Sequence, residues 1–194
     1  MILICPGIHD RDLTDSFLAQ LKYQASSNDL NELRSESIVV FPADEFPAYS
    51  AFHIWRFLEE VGIHPVDREK SAVPLVLICF SAGVVGGIGV AWMWQTLGGK
   101  VKALIALDGW GVPLIGNFPI HRISHDYFTH WSSGLLGTGE DNFYADPPVP
   151  HLELWRDPTN TPGCWINSEF GTCDRRFPLT AAQFLTMLLE GYQR

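Results

Sequence analysis

Residues 73–94 read VPLVLICFSAGVVGGIGVAWMW and contain no charged side chain. The first part, Val73–Phe80, is a continuous apolar run, which predicts a strand buried on both faces in the middle of a sheet. The segment that follows, Ala82–Leu97, is apolar on all sides and begins with several glycines, which predicts a helix packed closely against its neighbours. The stretch therefore predicts a central strand, a tight turn at Ser81 and a buried helix.

Outside this stretch, short apolar runs alternate with segments of helical period, a pattern typical of strand–helix units that build a parallel sheet. Further strands are predicted at Met1–Pro6, Ser37–Pro42, Val101–Asp108, Pro119–His125 and Asn142–Asp146. Helices are predicted around Leu13–Leu21, at Ala51–Val61 and after a capping box formed by Thr180 and Gln183. The expected fold is α/β, a three-layer sandwich of about six mainly parallel strands flanked by helices, in a single domain over residues 1–194.

Charge and cysteine content restrict the expected partners. The net charge is −9, from 13 Lys+Arg and 22 Asp+Glu, which argues against nucleic acid. The longest run without a charged or strongly polar residue, Ala82–Trp94, is shorter than the ~18 residues of a membrane span, so no membrane partner is expected. The four cysteines form no Cys-x-x-Cys pair and no signal peptide is recognisable, which predicts free thiols and a cytoplasmic location. The oligomeric state stays open.

The turn Cys79-Phe80-Ser81-Ala82-Gly83 is the most informative motif. It resembles the nucleophile elbow of the α/β-hydrolase superfamily, Gly-x-Ser-x-Gly, with Cys79 in place of the first glycine. Small residues flank the serine in that motif because a bulky side chain would collide with the adjoining strand or helix. The resemblance implies that Ser81 is a nucleophile. It also implies a shortened member of the superfamily, without the usual leading antiparallel strands.

The same resemblance indicates a base and an acid, which follow the serine along the chain in that order: acid, then histidine. His151 is the expected base, because it lies after the last predicted strand and before the final helix. Asp126 is the expected acid, at the end of the penultimate predicted strand. Asp108 is the alternative, because some members take the acid from the preceding strand. The histidines that follow Ser81 are His121, His125, His130 and His151.

The first predicted strand ends in Pro6-Gly7-Ile8-His9-Asp10, which is similar to the loop that supplies an oxyanion-hole amide in this superfamily. The implied donors are the backbone N–H of Ala82 and that of Ile8, with His9 as the alternative to Ile8. A glycine in this loop lets the backbone approach a substrate closely.

Aromatic residues are concentrated between residues 109 and 177, in loops that should leave the carboxyl ends of the strands, where α/β sheets form their binding crevice. Too few residues separate Asp108 from Asp126 for a helical lid, so we expect a lidless cleft. The side chains expected to line the substrate pocket are His9, Trp110, Tyr127, Phe128 and Trp131.

Two other kinds of site are disfavoured. The dinucleotide fingerprint Gly-x-Gly-x-x-Gly is not matched. If Gly87 and Gly89 were its first two glycines, the third would have to stand at position 92, which is Trp92. A metal cluster of His121, His125, Asp126 and His130 matches no recognised ligand spacing. No cofactor and no metal are therefore expected.

These expectations combine into a predicted function. The chain resembles a small serine esterase or thioesterase that cleaves a carboxylic ester or thioester through an acyl-enzyme on Ser81. The alternative is a catalytically inactive binding or scaffold protein with the α/β-hydrolase fold, suggested by Cys79 and the unconventional first loop.

Overall fold

The computed structural model describes residues 1–27, 38–67, 69, 71–166 and 179–193. Within them an eight-stranded sheet has the order β2-β1-β3-β4-β5-β6-β7-β8. Strands β1 to β6 pair in parallel, whereas β7 is antiparallel to both β6 and β8. The strands are β1 (Ile2–Cys5), β2 (Ile38–Val40), β3 (Pro74–Phe80), β4 (Lys100–Leu107), β5 (Ile120–Ser124), β6 (Asn142–Ala145), β7 (Pro162–Ile166) and β8 (Leu179–Thr180). The mainly parallel α/β sheet is confirmed, and β7 and β8 are additions to the six predicted strands.

Helices cover both faces of the sheet, as expected for a three-layer sandwich. They are α1 (Arg11–Ser27), α2 (Ala51–Glu60), α3 (Gly83–Thr96), α4 (Tyr127–Gly134), α5 (His151–Arg156) and α6 (Ala181–Gln193). The helices α2 and α3 pack on one face, whereas α1, α5 and α6 pack on the other. Successive side chains of β3 point to opposite faces of the sheet. Leu77 and Cys79 pack against α2 and α3, whereas Ile78 and Phe80 pack in the opposite layer.

Helix α3 lies unusually close to the sheet because glycines form its contact face. A Cβ atom built on Gly83 would collide with the backbone carbonyl oxygens of Cys5 and Pro6 at the end of β1. One built on Gly87 would collide with the Cys79 sulfur on β3. The close packing expected for this glycine-rich segment is therefore present, and it holds the start of α3 against the ends of β1 and β3.

Three short elements, α4, α5 and β7, lie in the region where the sequence shows no clear periodicity. Helix α4 has eight residues and α5 has six. A helix of two turns or fewer contains too few repeats of the 3.6-residue period to be recognised by pattern. Both short helices nevertheless carry residues of the candidate site described below.

The prediction that all four cysteines are free thiols is wrong for Cys164, which is disulfide-bonded. Cys5 and Cys79 are free and buried. Cys164 lies on β7, a strand that the sequence pattern did not reveal. Among the helices of the described ranges, none has the length and apolar character needed to span a bilayer.

Replacing Gly83 by Ala should destabilise the fold, because the added methyl group meets rigid backbone oxygens that cannot turn aside. We expect the free energy of unfolding to fall by about 3 kcal/mol, as for severe overpacking. Gly191→Ala is the matched control. Gly191 is exposed in α6 with open space around its missing Cβ, so alanine should leave the stability unchanged or raise it by up to about 1 kcal/mol. Urea unfolding midpoints of the two variants check this, and equal effects would contradict it.

Candidate active site

The candidate site lies at the edge of the sheet where the parallel strands end. Ser81 directly follows β3, Asp108 directly follows β4, and His125 directly follows β5. His151 is the first residue of α5, after β6. Because the carboxyl ends of parallel strands meet at one edge of a sheet, these four residues come together although the chain separates them widely.

Ser81 and Asp108 both adopt the left-handed backbone conformation, with φ of 52° and 51°. They are the two non-glycine residues with positive φ within the described ranges. Such a conformation costs about 1–3 kcal/mol and persists only where the surroundings fix it. Here the Ser81 N–H donates to the Leu107 carbonyl at 2.9 Å, and the Asp108 N–H donates to the Ile123 carbonyl at 2.8 Å. Each strained turn is thus tied to the neighbouring strand.

A chain of hydrogen bonds links Ser81, His151 and Asp108. His151 Nδ1 lies 2.8 Å from Asp108 Oδ2, and His151 Nε2 lies 3.2 Å from Ser81 Oγ. A carboxylate only accepts hydrogen bonds, so Nδ1 carries the proton of the neutral imidazole and Nε2 presents its lone pair to the serine hydroxyl. The Asp108 side chain is 1% exposed and that of His151 is 41% exposed. The carboxylate is therefore buried, whereas the imidazole faces the cleft.

The imidazole of His151 is held by a stack of aromatic rings. It lies on Phe80 with centroids 4.8 Å apart and an interplanar angle of 20°. Phe80 stacks on Trp155 at 4.9 Å, and Trp155 stacks on Phe17 of α1 at 3.7 Å. Because Trp155 belongs to the same short helix as His151 and is completely buried, it anchors that helix in the core. The stack fixes the ring plane of His151 beside Ser81.

A second histidine, His125, binds the same carboxylate. Its backbone N–H donates to Asp108 Oδ1 at 2.9 Å, and its Nδ1 lies 2.9 Å from Asp108 Oδ2. The hydrogen bond to Asp108 raises the pKa of His125, partial burial opposes that rise, and the charges of Asp108 and Asp126 add to it. From the sequence, His125 is one of the histidines that follow Ser81, and no contact with Asp108 is predicted for it. Its position one residue after a strand that pairs with β4 is the signal that could have found it.

Asp126, the expected acid, does not lie at His151. Its side chain accepts a hydrogen bond from the Thr129 N–H at 2.6 Å and so caps the N-terminus of α4. Partial burial acts against ionisation, but the hydrogen bonds from Thr129 and the nearby His125 lower the pKa of Asp126 overall. The place at His151 Nδ1 is taken by Asp108, the alternative. Asp126 is held elsewhere because its carboxylate caps α4, a short helix that the sequence did not predict.

The loop after β1 lies against the serine turn. A Cβ atom built on Gly7 would come within 2.9 Å of the Ser81 Cβ, so only glycine fits here without a shift. Ala82 occupies the N-cap position of α3, where backbone N–H groups have no acceptor within the helix. Ile8, directly after Gly7, is largely exposed. The two peptides expected to form an oxyanion hole, those of Ile8 and Ala82, thus lie on segments that adjoin Ser81.

A cavity of about 440 Å³ opens at Ser81 and His151. Of the expected pocket residues, Trp110 and Phe128 line it, together with Val85 and Val112. The other three do not line this cavity. Tyr127 packs edge-on against Tyr144, and Trp131 lies beside Phe128 further along α4. His9 lines a smaller cavity of about 170 Å³ beside Arg11 and Asp44 and packs on Phe80.

Among the described residues, one group of side chains could also hold a metal ion. It consists of Asp108, His125 and His151, and one ligand atom of each lies within 4.8 Å of the other two. Oxygen and imidazole nitrogen are ligands that zinc accepts. In this structure Asp108 Oδ2 and the Nδ1 atoms of both histidines take part in hydrogen bonds within the trio. The metal cluster considered from sequence is not assembled, since His121 instead binds the Asp141 carbonyl and the Tyr192 hydroxyl.

Comparisons of the chain with protein-family models, with curated proteins and with solved structures found no match.

Proposed function

We propose that this protein is a serine hydrolase of the α/β-hydrolase type that cleaves a carboxylic ester or thioester. The observation that carries the proposal is the hydrogen-bond chain from Ser81 through His151 to the buried Asp108, with Ser81 in a left-handed turn between a central strand and a buried helix. A serine hydroxyl is a weak nucleophile unless a base removes its proton and a third group orients that base. The three residues have the spacing and order that such a mechanism requires.

In the proposed reaction, Ser81 Oγ attacks the substrate carbonyl carbon while His151 Nε2 accepts the hydroxyl proton. Asp108 stabilises the resulting imidazolium through Nδ1–H and keeps the ring in the correct tautomer. The tetrahedral intermediate collapses, the carbon–oxygen or carbon–sulfur bond to the leaving group breaks, and His151 returns the proton to the departing alkoxide or thiolate. Water then attacks the acyl-enzyme with His151 again as base, which releases the carboxylic acid and restores Ser81.

The backbone N–H groups of Ala82 and Ile8 are the proposed donors to the oxyanion. An oxyanion hole works when donors already point at the position where charge develops. Gly7 supports this assignment, because its missing side chain lets the first loop approach the Ser81 Cβ. The start of α3 adds a helix N-terminus, which favours negative charge.

The walls of the cleft favour an uncharged, apolar acyl or aryl group. Val85 on α3, Trp110 and Val112 after β4, and Phe128 on α4 surround the space beside Ser81. The indole N–H of Trp110 donates to the Ser132 hydroxyl at 3.0 Å, which orients this exposed ring at the mouth of the cleft. Apolar walls with a few polar groups at one end are typical of small-molecule sites.

Cys79, the departure from the usual motif, fits its position sterically. Its side chain is buried on the α3 face of the sheet, opposite Gly87, so the extra volume meets a glycine. Cys79 is therefore no steric obstacle to the turn at Ser81. An inactive scaffold is distinguished from a hydrolase by its reaction with a fluorophosphonate.

A fluorophosphonate should label Ser81 stoichiometrically, because the activated hydroxyl attacks the electrophilic phosphorus. Ser81→Ala should remain folded, as judged by circular dichroism, and stay unlabelled. Short p-nitrophenyl esters should be hydrolysed by the parent chain and about 10³-fold or more slowly by the variant. Mass spectrometry of the adduct locates the site. Labelling that persists in Ser81→Ala contradicts the nucleophile, and neither labelling nor turnover in the parent chain favours the inactive scaffold.

Asp108→Asn should lower kcat by about 10⁴-fold, the magnitude known for a protease triad, because the amide favours the wrong histidine tautomer. Asp126→Asn is the matched control. Asparagine caps helices as well as aspartate does, so this variant should keep its stability and most of its activity. Ester turnover together with urea unfolding of both variants separates a catalytic defect from a folding defect. An inactive, folded Asp126→Asn beside an active Asp108→Asn would return the acid to Asp126.

A further inference from the structure

His125 connects three parts of the proposed site through its backbone and its side chain. Its N–H and its Nδ1 bind the two oxygens of Asp108, each at 2.9 Å. Its carbonyl accepts a hydrogen bond from the Val149 N–H at 3.0 Å, two residues before His151. The end of β5 therefore holds both the acid and the segment that delivers the base.

Both imidazoles bind the same oxygen of the acid. Asp108 Oδ2 lies 2.8 Å from His151 Nδ1 and 2.9 Å from His125 Nδ1. The two rings are 5.9 Å apart between centroids and nearly perpendicular. One buried negative charge thus serves two groups that can each become a cation. A positive charge on either ring disfavours protonation of the other.

The surroundings of His125 favour its charged form. The ionisable groups that face its ring are Asp108 at the end of β4, Asp126 at the start of α4 and His151 at the start of α5. Its Nε2 lies 3.6 Å from Asp126 Oδ2, so the ring sits between two carboxylates. The side chain is 25% exposed and lines the cleft, which gives the proton access to solvent.

We propose that His125 is a positioning residue that holds Asp108 in place and, when protonated, competes with His151 for the charge of that carboxylate. This inference rests on the proposed hydrolase function of the same site. As the pH falls and His125 takes up a proton, Asp108 stabilises a cation on His151 less. The charge of His125 therefore acts on the proposed reaction at acidic pH, through the carboxylate oxygen that both rings share.

His125→Asn tests the charge separately from the hydrogen bond. The asparagine amide nitrogen takes the place of Nδ1, so it can still donate to Asp108, but it cannot become a cation. In this variant the ring of His151 should become protonated at a higher pH than in the parent chain, because the competing charge is gone. Histidine ring ¹⁵N NMR of the substrate-free chain measures that titration. The acid limb of kcat/KM on a p-nitrophenyl ester should move in the same direction.

Asp126→Asn provides a second variant in which both imidazoles remain. It removes one of the two carboxylates beside His125, so the titration of His125 should move to lower pH while its contacts with Asp108 stay. Where His125 thereby loses its charge, the acid limb of kcat/KM should move to higher pH, and this result would support the inference if His125→Asn failed to fold. An acid limb that stays in place although the titration of His125 has moved would contradict the inference.

The NMR experiment tests the competition between the two histidines, and the activity experiment tests the proposed hydrolase function, so either can be contradicted alone. A His151 titration that is unchanged in His125→Asn overturns the competition, whatever the rate of ester cleavage. A loss of rate and stability without a moved titration would assign His125 a merely structural role and overturn the inference as well. A moved titration in a chain that neither hydrolyses esters nor reacts with fluorophosphonate supports the coupling and contradicts the proposed function.

Discussion

A carboxylate removed from water has to be compensated by hydrogen-bond donors, and Asp108 meets this constraint with three of them. The backbone N–H of His125 and the Nδ1 atoms of His125 and His151 supply all three. Leaving such a buried charge without donors would cost several kcal/mol, so the fold holds the donors where they are. Since they come from the end of β5 and the start of α5, satisfying one side chain fixes the relative position of the segments that build the site.

The serine side of the site depends on close packing. Phe80 and Leu107 are register partners on β3 and β4, so Ser81 and Asp108 follow the same rung of the ladder. Both leave their strands in the left-handed conformation, which turns the chain sharply at the edge of the sheet. The turn at Ser81 is possible because Gly83 allows α3 to begin directly against the backbone at the end of β1. A larger residue there would push the helix, and with it the serine, away from His151.

The sequence predicted the parts of the fold that local chemistry determines. The continuous apolar run placed β3, and the capping box placed α6: the Thr180 N–H donates to Gln183 Oε1, and the Gln183 N–H donates to Thr180 Oγ1. The proximity of Ser81 and His151 was also anticipated, because element order limits which histidine can return to the strand ends. Asp126, which the sequence favoured over Asp108 as the acid, does not lie at His151, because it caps a two-turn helix without a readable period. The contacts between His125 and Asp108 were not predicted because they depend on the register of β4 and β5, and a single sequence does not reveal strand register.

Asp108 and His151 differ strongly in their exposure to water, and the proposed reaction depends on this difference. Asp108 is shielded from water, so its attraction for a cation on His151 is screened less than the attraction between two exposed groups. His151 itself is 41% exposed to an open cleft, so in the proposed reaction water can reach this base after the leaving group has departed. The proposed hydrolysis needs both properties, because its first step forms an imidazolium that must be stabilised and its second consumes a water molecule that must enter. A site that buried the histidine as deeply as its acid would keep the first property and lose the second.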